Sequence, residues 1–337
     1  MNRRITQKEI ARRLGVSQAL VSRSLTGRSG DIAASPVTVE RIRKAAMAWK
    51  YAPNAAAMTL KGAPTRTLGV IIKSFDDPFF GHLIGELQGL ARAKHYALLL
   101  AGWTEGASDP ADEMMLRKYQ PDGLIVCGSD YRPSAVQAFL NEGKPVVQIG
   151  MGATLSGVRQ VGFDEEAGLN DLSEYLFGLG HIRIGYVGGD SVPHRRREKC
   201  LRAILSRRGV GVPVNGFATV ADLGTRSVTA ALRRLLDGRH ERCTALIAAD
   251  DATAQTVLRA LYEEGMAVPE SMSLAGMDDI PSAQTMIPAL TTVRLPVEEM
   301  VQHAFRMVTG ANGPAASGSV VVAPKLVVRE SCAPPRE

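Results

Sequence analysis

Residues 66–294 run through one pattern twice: a short apolar run, a helix-length amphipathic segment, then another apolar run. The first series predicts strands at 68–72, 97–101, 123–127 and 145–149, with a helix over 79–94 and further helices between the later strands. After Gly162-Phe163-Asp164 the rhythm restarts, with strands expected at 182–187, near Phe217, at 245–248 and at 273–276. Runs of this length that are apolar throughout suit strands buried on both faces, and alternation with helices makes them parallel. Two series predict two doubly wound α/β lobes. Segment 291–296 would carry the chain back to the first lobe for a helix at 297–309. Residues 319–329 would then supply closing strands, and the last eight residues are expected to be disordered.

Several function classes lose support at this point. No apolar run reaches the ~18 residues of a membrane span, and the polar, basic N-terminus lacks the apolar stretch of an export signal, so a cytoplasmic location is expected. Cys127, Cys200, Cys243 and Cys332 are far apart, and neither they nor the six His residues have metal-ligand spacing, which reads as reduced thiols with no metal and no cofactor. The sequence has no G-x-S-x-G elbow, no P-loop and no G-x-G-x-x-G. Asp278-Asp279 are adjacent and should point apart, a poor acid/base pair. No catalytic residue is expected.

The first 62 residues differ in kind from the rest. They carry 12 Lys or Arg against 3 Asp or Glu, a net of +9, while the remaining 275 carry 28 against 31. A short domain with this excess has the electrostatic footprint of phosphate-backbone binding. Thr6 and Glu9 fit a capping box ahead of Ile10, Ala11 and Leu14 at helical spacing. Gly15 ends that helix, Val16 plugs the turn, and Ser17 caps a second helix over 18–25. Val21 and Leu25 would face inward there, leaving Gln18, Ala19, Ser22 and Arg23 outward. Helix, Gly turn and second helix with outward polar residues make a helix-turn-helix. Ser35-Pro36 opens a third helix whose Ile42, Ala45, Ala46 and Trp49 share one face. Pro53 then breaks the chain, and Asn54 can cap a short, Ala-rich fourth helix up to Leu60, too short to be stable alone.

The runs Ile5-Thr6-Gln7-Lys8-Glu9-Ile10-Ala11, Gly15-Val16-Ser17, Val21-Ser22-Arg23 and Tyr51-Ala52-Pro53-Asn54 resemble the lac repressor (LacI/GalR) family of bacterial transcription regulators. The resemblance continues through Asp77-Pro78-Phe79-Phe80, Leu179-Gly180-His181, Ile184-Gly185-Tyr186-Val187-Gly188-Gly189, Gly276-Met277-Asp278-Asp279-Ile280-Pro281 and Pro288-Ala289-Leu290-Thr291-Thr292-Val293. It implies a helix-turn-helix head at 1–53, a hinge helix and linker at 54–65, and a periplasmic-binding-protein-like body at 66–337. Lobe 1 would comprise about 66–163 plus 295–323, and lobe 2 about 164–294 plus 324–330. The implied DNA-contacting residues are Thr6, Ser17, Gln18, Ala19, Ser22, Arg23, Asn54, Ala57 and Leu60. Leu60 would wedge into the minor groove and bend the duplex. Two heads in a homodimer would read a pseudo-palindromic operator. With Pro334-Pro335-Arg336-Glu337 and no Leu heptads after the last strand, a dimer is expected rather than a tetramer.

The same resemblance implies a small effector between the lobes, contacted by Lys73, Phe79, Phe80, Trp103, Arg197, Asp250 and Asp278. Cys200 stands where the family usually has Gly, and Gly150 where many relatives have Asp. Phe79 could equally be helix core, and Asp250 could equally cap its helix. The expected effector is a sugar or sugar-derived acid. Lys73 and the run His194-Arg195-Arg196-Arg197 lean toward an anionic one, although Arg195 and Arg196 also read as solvated surface. A purine stacked on Phe80 or Trp103 is the alternative, and a solute receptor without DNA binding is a further one.

Overall fold

The computed structural model describes residues 5–26, 34–51, 64–102, 110–128, 133–152, 155–211, 216–236, 242–310 and 318–336. The expected hinge helix, with Asn54, Ala57 and Leu60, lies outside them, as does Trp103. The chain forms two compact units, Met1–Thr65 and Arg66–Glu337.

In the first unit, α1 (Gln7–Leu14) begins where the Thr6 hydroxyl accepts the Glu9 amide. It ends at Gly15, whose φ of 66° is the left-handed conformation that only glycine adopts freely. The Glu9 carboxylate pairs with Arg12 and Arg13, not with the Thr6 amide that a full capping box would engage. Ser17 caps α2 (Gln18–Thr26) by accepting from the Leu20 amide. Ser35 caps α3 (Pro36–Ala48), with Pro36 in its first turn. Ile10, Ala11, Val21, Ile42 and Ala46 form the core of this unit, and Trp49 packs against them.

The second unit holds two six-stranded sheets. Strands β1 (Thr67–Ile72), β2 (Ala97–Gly102), β3 (Gly123–Cys127), β4 (Val146–Ile149) and β5 (Arg159–Phe163) lie in one sheet, with order β11-β5-β4-β3-β1-β2 once β11 (Val320–Val322) is included. The other runs β12-β10-β9-β8-β6-β7. It comprises β6 (Ile184–Gly189), β7 (Phe217–Val220), β8 (Ala245–Ala248), β9 (Ser273–Asp278), β10 (Thr291–Arg294) and β12 (Lys325–Val327). All pairings are parallel except β10 with β12. The connecting helices are α4 (Pro78–Ala93), α5 (Pro110–Lys118), α6 (Pro133–Asn141), α7 (Glu165–Gly178), α8 (Val192–Arg207), α9 (Thr225–Leu236), α10 (Asp251–Glu263) and α11 (Val297–Val308). The chain passes between lobes three times, after β5, after β10 and between β11 and β12.

Strand order fixes where a ligand can sit. In the first sheet β1 has β2 on one side and β3 on the other, so the winding reverses between β1 and β3; in the second it reverses between β6 and β8. A crevice opens outside the carboxyl ends of strands at such switch points. Lys73 and Gly128 follow β1 and β3, while His194 and Asp250 follow β6 and β8.

The C-terminal segment departs from expectation. Residues 329–336 are ordered: the Ser331 carbonyl accepts from the Leu274 amide, the Ser331 hydroxyl bridges Leu274 and Thr291, and Ala333 bonds to Ser273 and His181. This polar, proline-rich stretch has little propensity of its own, and it is held because it satisfies the edges of β9 and β10.

Asp251 ties the same region together from inside. Its buried carboxylate accepts from the Thr292 hydroxyl at 2.6 Å and the Ile280 amide at 2.9 Å. A Cβ added to Gly276 would stand 2.2 Å from its Oδ1. Gly276→Ala must therefore displace Asp251 and lower stability by about 1–3 kcal/mol, a loss that urea unfolding of the second unit will register.

Candidate functional site

The cleft is built from strand ends and helix starts of both lobes. From lobe 1, Asp77 caps α4 by accepting the Phe79 amide at 2.9 Å. From lobe 2, Asp250 caps α10 through Oδ1, which accepts the Thr253 amide at 2.7 Å. Its Oδ2 lies 2.7 Å from His194 Nε2. His194 Nδ1 accepts from the Gly189 amide at 2.8 Å, so the hydrogen that faces Asp250 is on Nε2. Asp278 ends β9 with φ of 115°, a strained value for a residue with a side chain. Strain of this kind persists only where the surroundings fix it.

Arg197 lies at the centre, its side chain only 8% exposed. Nε donates to Glu165 Oε1 at 2.9 Å, Nη1 to the Ala249 carbonyl at 2.6 Å, and Nη2 is 3.6 Å from Asp278 Oδ1. Burial alone would lower the pKa of this guanidinium, but the carboxylates of Asp278 and Glu165 outweigh that and raise it. Glu165 is the mirror case: burial is overcome by Arg197 and Arg196, and its carboxyl is held below the usual range. Asp250 is held low as well, with the hydrogen bond to His194 outweighing burial. Asp278 goes the other way. Burial pushes its carboxyl well up, Arg197 offsets only part of this, and Asp250, Asp251 and Asp77 add to the rise. Asp77 is also raised by burial, with Asp250 adding and His194 and Lys73 opposing. Three carboxylates from two lobes thus face one another around a single guanidinium.

Asp279 points away from this group, to Arg294 at 2.5 Å and Arg329 at 2.6 Å. A cavity of about 600 Å³ opens at the crossover strands beside it, bordered by Asp278, Arg294, Arg329, Glu86 and Glu298. Among the described residues, no group of three His, Cys, Asp or Glu side chains is placed to hold a metal ion. No helix among them is long and apolar enough to cross a membrane.

Residues 173–332 match the family model for a periplasmic binding protein-like domain. The chain is 30% identical over 306 residues to the ribose operon repressor of Escherichia coli (strain K12), an alignment covering 89% of this chain and 91% of that one. The chain belongs to the LacI family of transcription regulators. Its fold superimposes on the lac repressor dimer bound to operator and the anti-inducer ONPF with a TM-score of 0.83 at 22% identity, covering 98% of this chain and all of that one. The complex of the transcriptional regulator CelR with cellobiose matches at a TM-score of 0.69 and 26% identity, covering 97% and 100%. The protein is accordingly a DNA-binding regulator with two parallel-sheet lobes.

Within this regulator, Arg197, Asp250 and Asp278 come together. Lys73 follows β1 on the opposite lobe, within charge range of Asp77. Phe79 is half-buried and packs against core residues of both lobes. Phe80 is only 6% exposed and meets Phe79 edge-on at 5.4 Å. In the head, Thr6, Ser17, Gln18, Ala19 and Arg23 are exposed and Ser22 is half-buried. Sequence reasoning passed over Asp77, Glu165 and Arg196. Asp77 carried a signal, as the Asp before Pro-Phe-Phe that starts a helix; Glu165 and Arg196 carried none, because their partners are distant in sequence.

Asp251 supplies a pH test. Burial pushes its carboxyl up to about 7, above the unfolded value of about 3.9. Its contribution to stability is complete below that unfolded value and is lost as pH rises through about 7. The urea midpoint should fall from pH 5 to 8, and Asp251→Asn, a mimic of the protonated form, should flatten that slope. An unchanged slope would show that Asp251 does not titrate in this interval.

Proposed function

We propose that the protein is a homodimeric repressor whose operator affinity is set by a neutral sugar bound between its lobes. The observation carrying the effector class is the convergence of Asp77, Asp250 and Asp278 on Arg197. Carboxylates accept from sugar hydroxyls and a guanidinium donates to them, both by charge-assisted bonds. The ribose and cellobiose in the names of the two relatives above belong to the same class. An anionic sugar is less well served. Arg197 and Arg196 share Glu165, and Arg195 pairs with Asp190 at 2.9 Å, so the cations of the His194–Arg197 run already have partners. A purine lacks its stacking face at Phe80, which is enclosed in the lobe 1 core.

Two apolar surfaces support the dimer. On lobe 2, Ile287 is 91% and Tyr262 73% exposed, beside Leu258, Met266, Val268 and Pro288 around a depression of about 510 Å³. On lobe 1, the edge strand β2 carries Leu98 and Leu100 next to Ile84 and Tyr96. Exposed apolar groups of this size and an open strand edge mark protein contacts. Light scattering of Ile287→Asp should report a shift from dimer toward monomer; a dimer undiminished at low micromolar concentration would remove this face from the interface. The regulator acts in the cytoplasm, where its operator lies, and performs no catalysis.

The effector and DNA readings are tested together. Protein lacking residues 1–65 should lose discrete binding to its own upstream DNA in a gel shift, yet keep its response to sugars. Thermal-shift screening of neutral sugars, sugar acids, sugar phosphates and purines should give a neutral sugar that raises Tm by about 5 °C at hundred-fold excess over Kd. That rise should vanish in Asp278→Asn. A response to purines alone would overturn the effector class, and operator binding by the truncated protein would overturn the head assignment.

A further inference from the structure

The chain of bonds beginning at Arg197 extends beyond Glu165. Arg196 donates Nε and Nη2 to both oxygens of the same carboxylate, at 2.5 and 3.1 Å, and Nη1 to the carbonyl of Met151 at 2.8 Å. Arg196 and Glu165 start α8 and α7 in lobe 2, whereas Met151 follows β4 in lobe 1. One guanidinium therefore binds a buried carboxylate on its own lobe and a main-chain oxygen on the other.

We propose that Arg196 is the positioning residue that couples the cleft to the arrangement of the lobes. Through Glu165 it fixes Arg197, and through Met151 it holds lobe 1 against that assembly. This deepens the effector reading above and rests on it. The lobe 1 end is a firm anchor. The Gly150 amide donates to the Val161 carbonyl at 2.8 Å, and Gln160 Nε2 donates to the Gly152 carbonyl at 3.2 Å. Met151 itself packs over Gly162, where a Cβ would come 2.0 Å from its Sδ. The lobe 2 end is equally fixed, because a planar guanidinium gripping both oxygens of a carboxylate has little freedom to swing. A relative displacement of the lobes by about 1 Å takes Nη1 out of hydrogen-bond range of Met151. Movement at Arg197 reaches the same bond by shifting the carboxylate that both arginines share. The neighbouring arginine makes no such link: Arg195 is 58% exposed and pairs with Asp190 in its own lobe.

The test is hydrogen exchange on the full chain, comparing wild type with R196M, R196K and R195M. R196M should raise exchange about tenfold in lobe 1 peptides spanning 148–163, which contain no substitution, as local opening across the seam becomes easier. R196K keeps a charge on Glu165 but loses the fork, so it should give a smaller rise in the same peptides, and R195M none. Wild-type exchange at 148–163 in both Arg196 variants would overturn the coupling. A rise confined to 165–178 and 192–207 would also overturn it, since Arg196 would then merely support lobe 2. The readout involves neither DNA nor sugar, so a failed operator or effector assay judges the proposed function separately.

Discussion

A guanidinium removed from water must be matched, and at Arg197 that requirement organises the interior of the second unit. Its partners are Glu165 from α7, the Ala249 carbonyl from the end of β8 and Asp278 from the end of β9. Leaving such an ion without one of them costs several kcal/mol. The carboxylates bring a complementary demand, because Asp77, Asp250 and Asp278 repel one another and only Arg197, His194 and Lys73 relieve them. The result is a polar group whose members come from both lobes and whose balance depends on how closely the lobes approach.

Such a group suits a regulator. A ligand shifts a conformational equilibrium only by its difference in affinity for the two states, and a polar group shared between lobes supplies that difference naturally. Hydroxyls placed among the carboxylates can replace contacts that one lobe otherwise makes with the other. The three crossovers, after β5, after β10 and between β11 and β12, tie the lobes along one side. Asp279, bonded to Arg294 and Arg329, sits beside these strands and stiffens them. Relative motion is thereby confined to a few connecting residues, the usual basis of a hinge.

The head meets a different physical problem. A unit of some 60 residues buries little apolar surface and is marginal on its own, and this one closes its core with Ile10, Val21, Ile42 and the flanking Trp49. Its outward α2 residues are therefore free of packing duty, and Gln18, Ala19 and Arg23 are exposed. Separating the reading surface from the sensing cleft in two compact units lets each use its own chemistry, phosphates and bases in one, a small polar ligand in the other.

The sequence by itself determined what depends on near neighbours along the chain. Thr6, Ser17, Ser35, Asp77 and Asp250 cap helices because a side-chain oxygen need only reach an amide two or three residues on. The strands were legible because a strand buried on both faces is apolar throughout, and their alternation with helices dictated two parallel sheets. Asp278 and Arg197 were legible through family resemblance, but their surroundings were not. Glu165 looked like an ordinary acidic residue in a first helical turn, and Arg196 like solvated surface; only folding put them 31 residues apart in sequence and in direct contact. Residues 329–333 carried no strand pattern, yet they are ordered because β9 and β10 offer donors and acceptors that they complete. Tertiary structure decided these cases for one reason: a buried charge or an open strand edge is satisfied by whatever partner the fold delivers, and local sequence does not say which partner that will be.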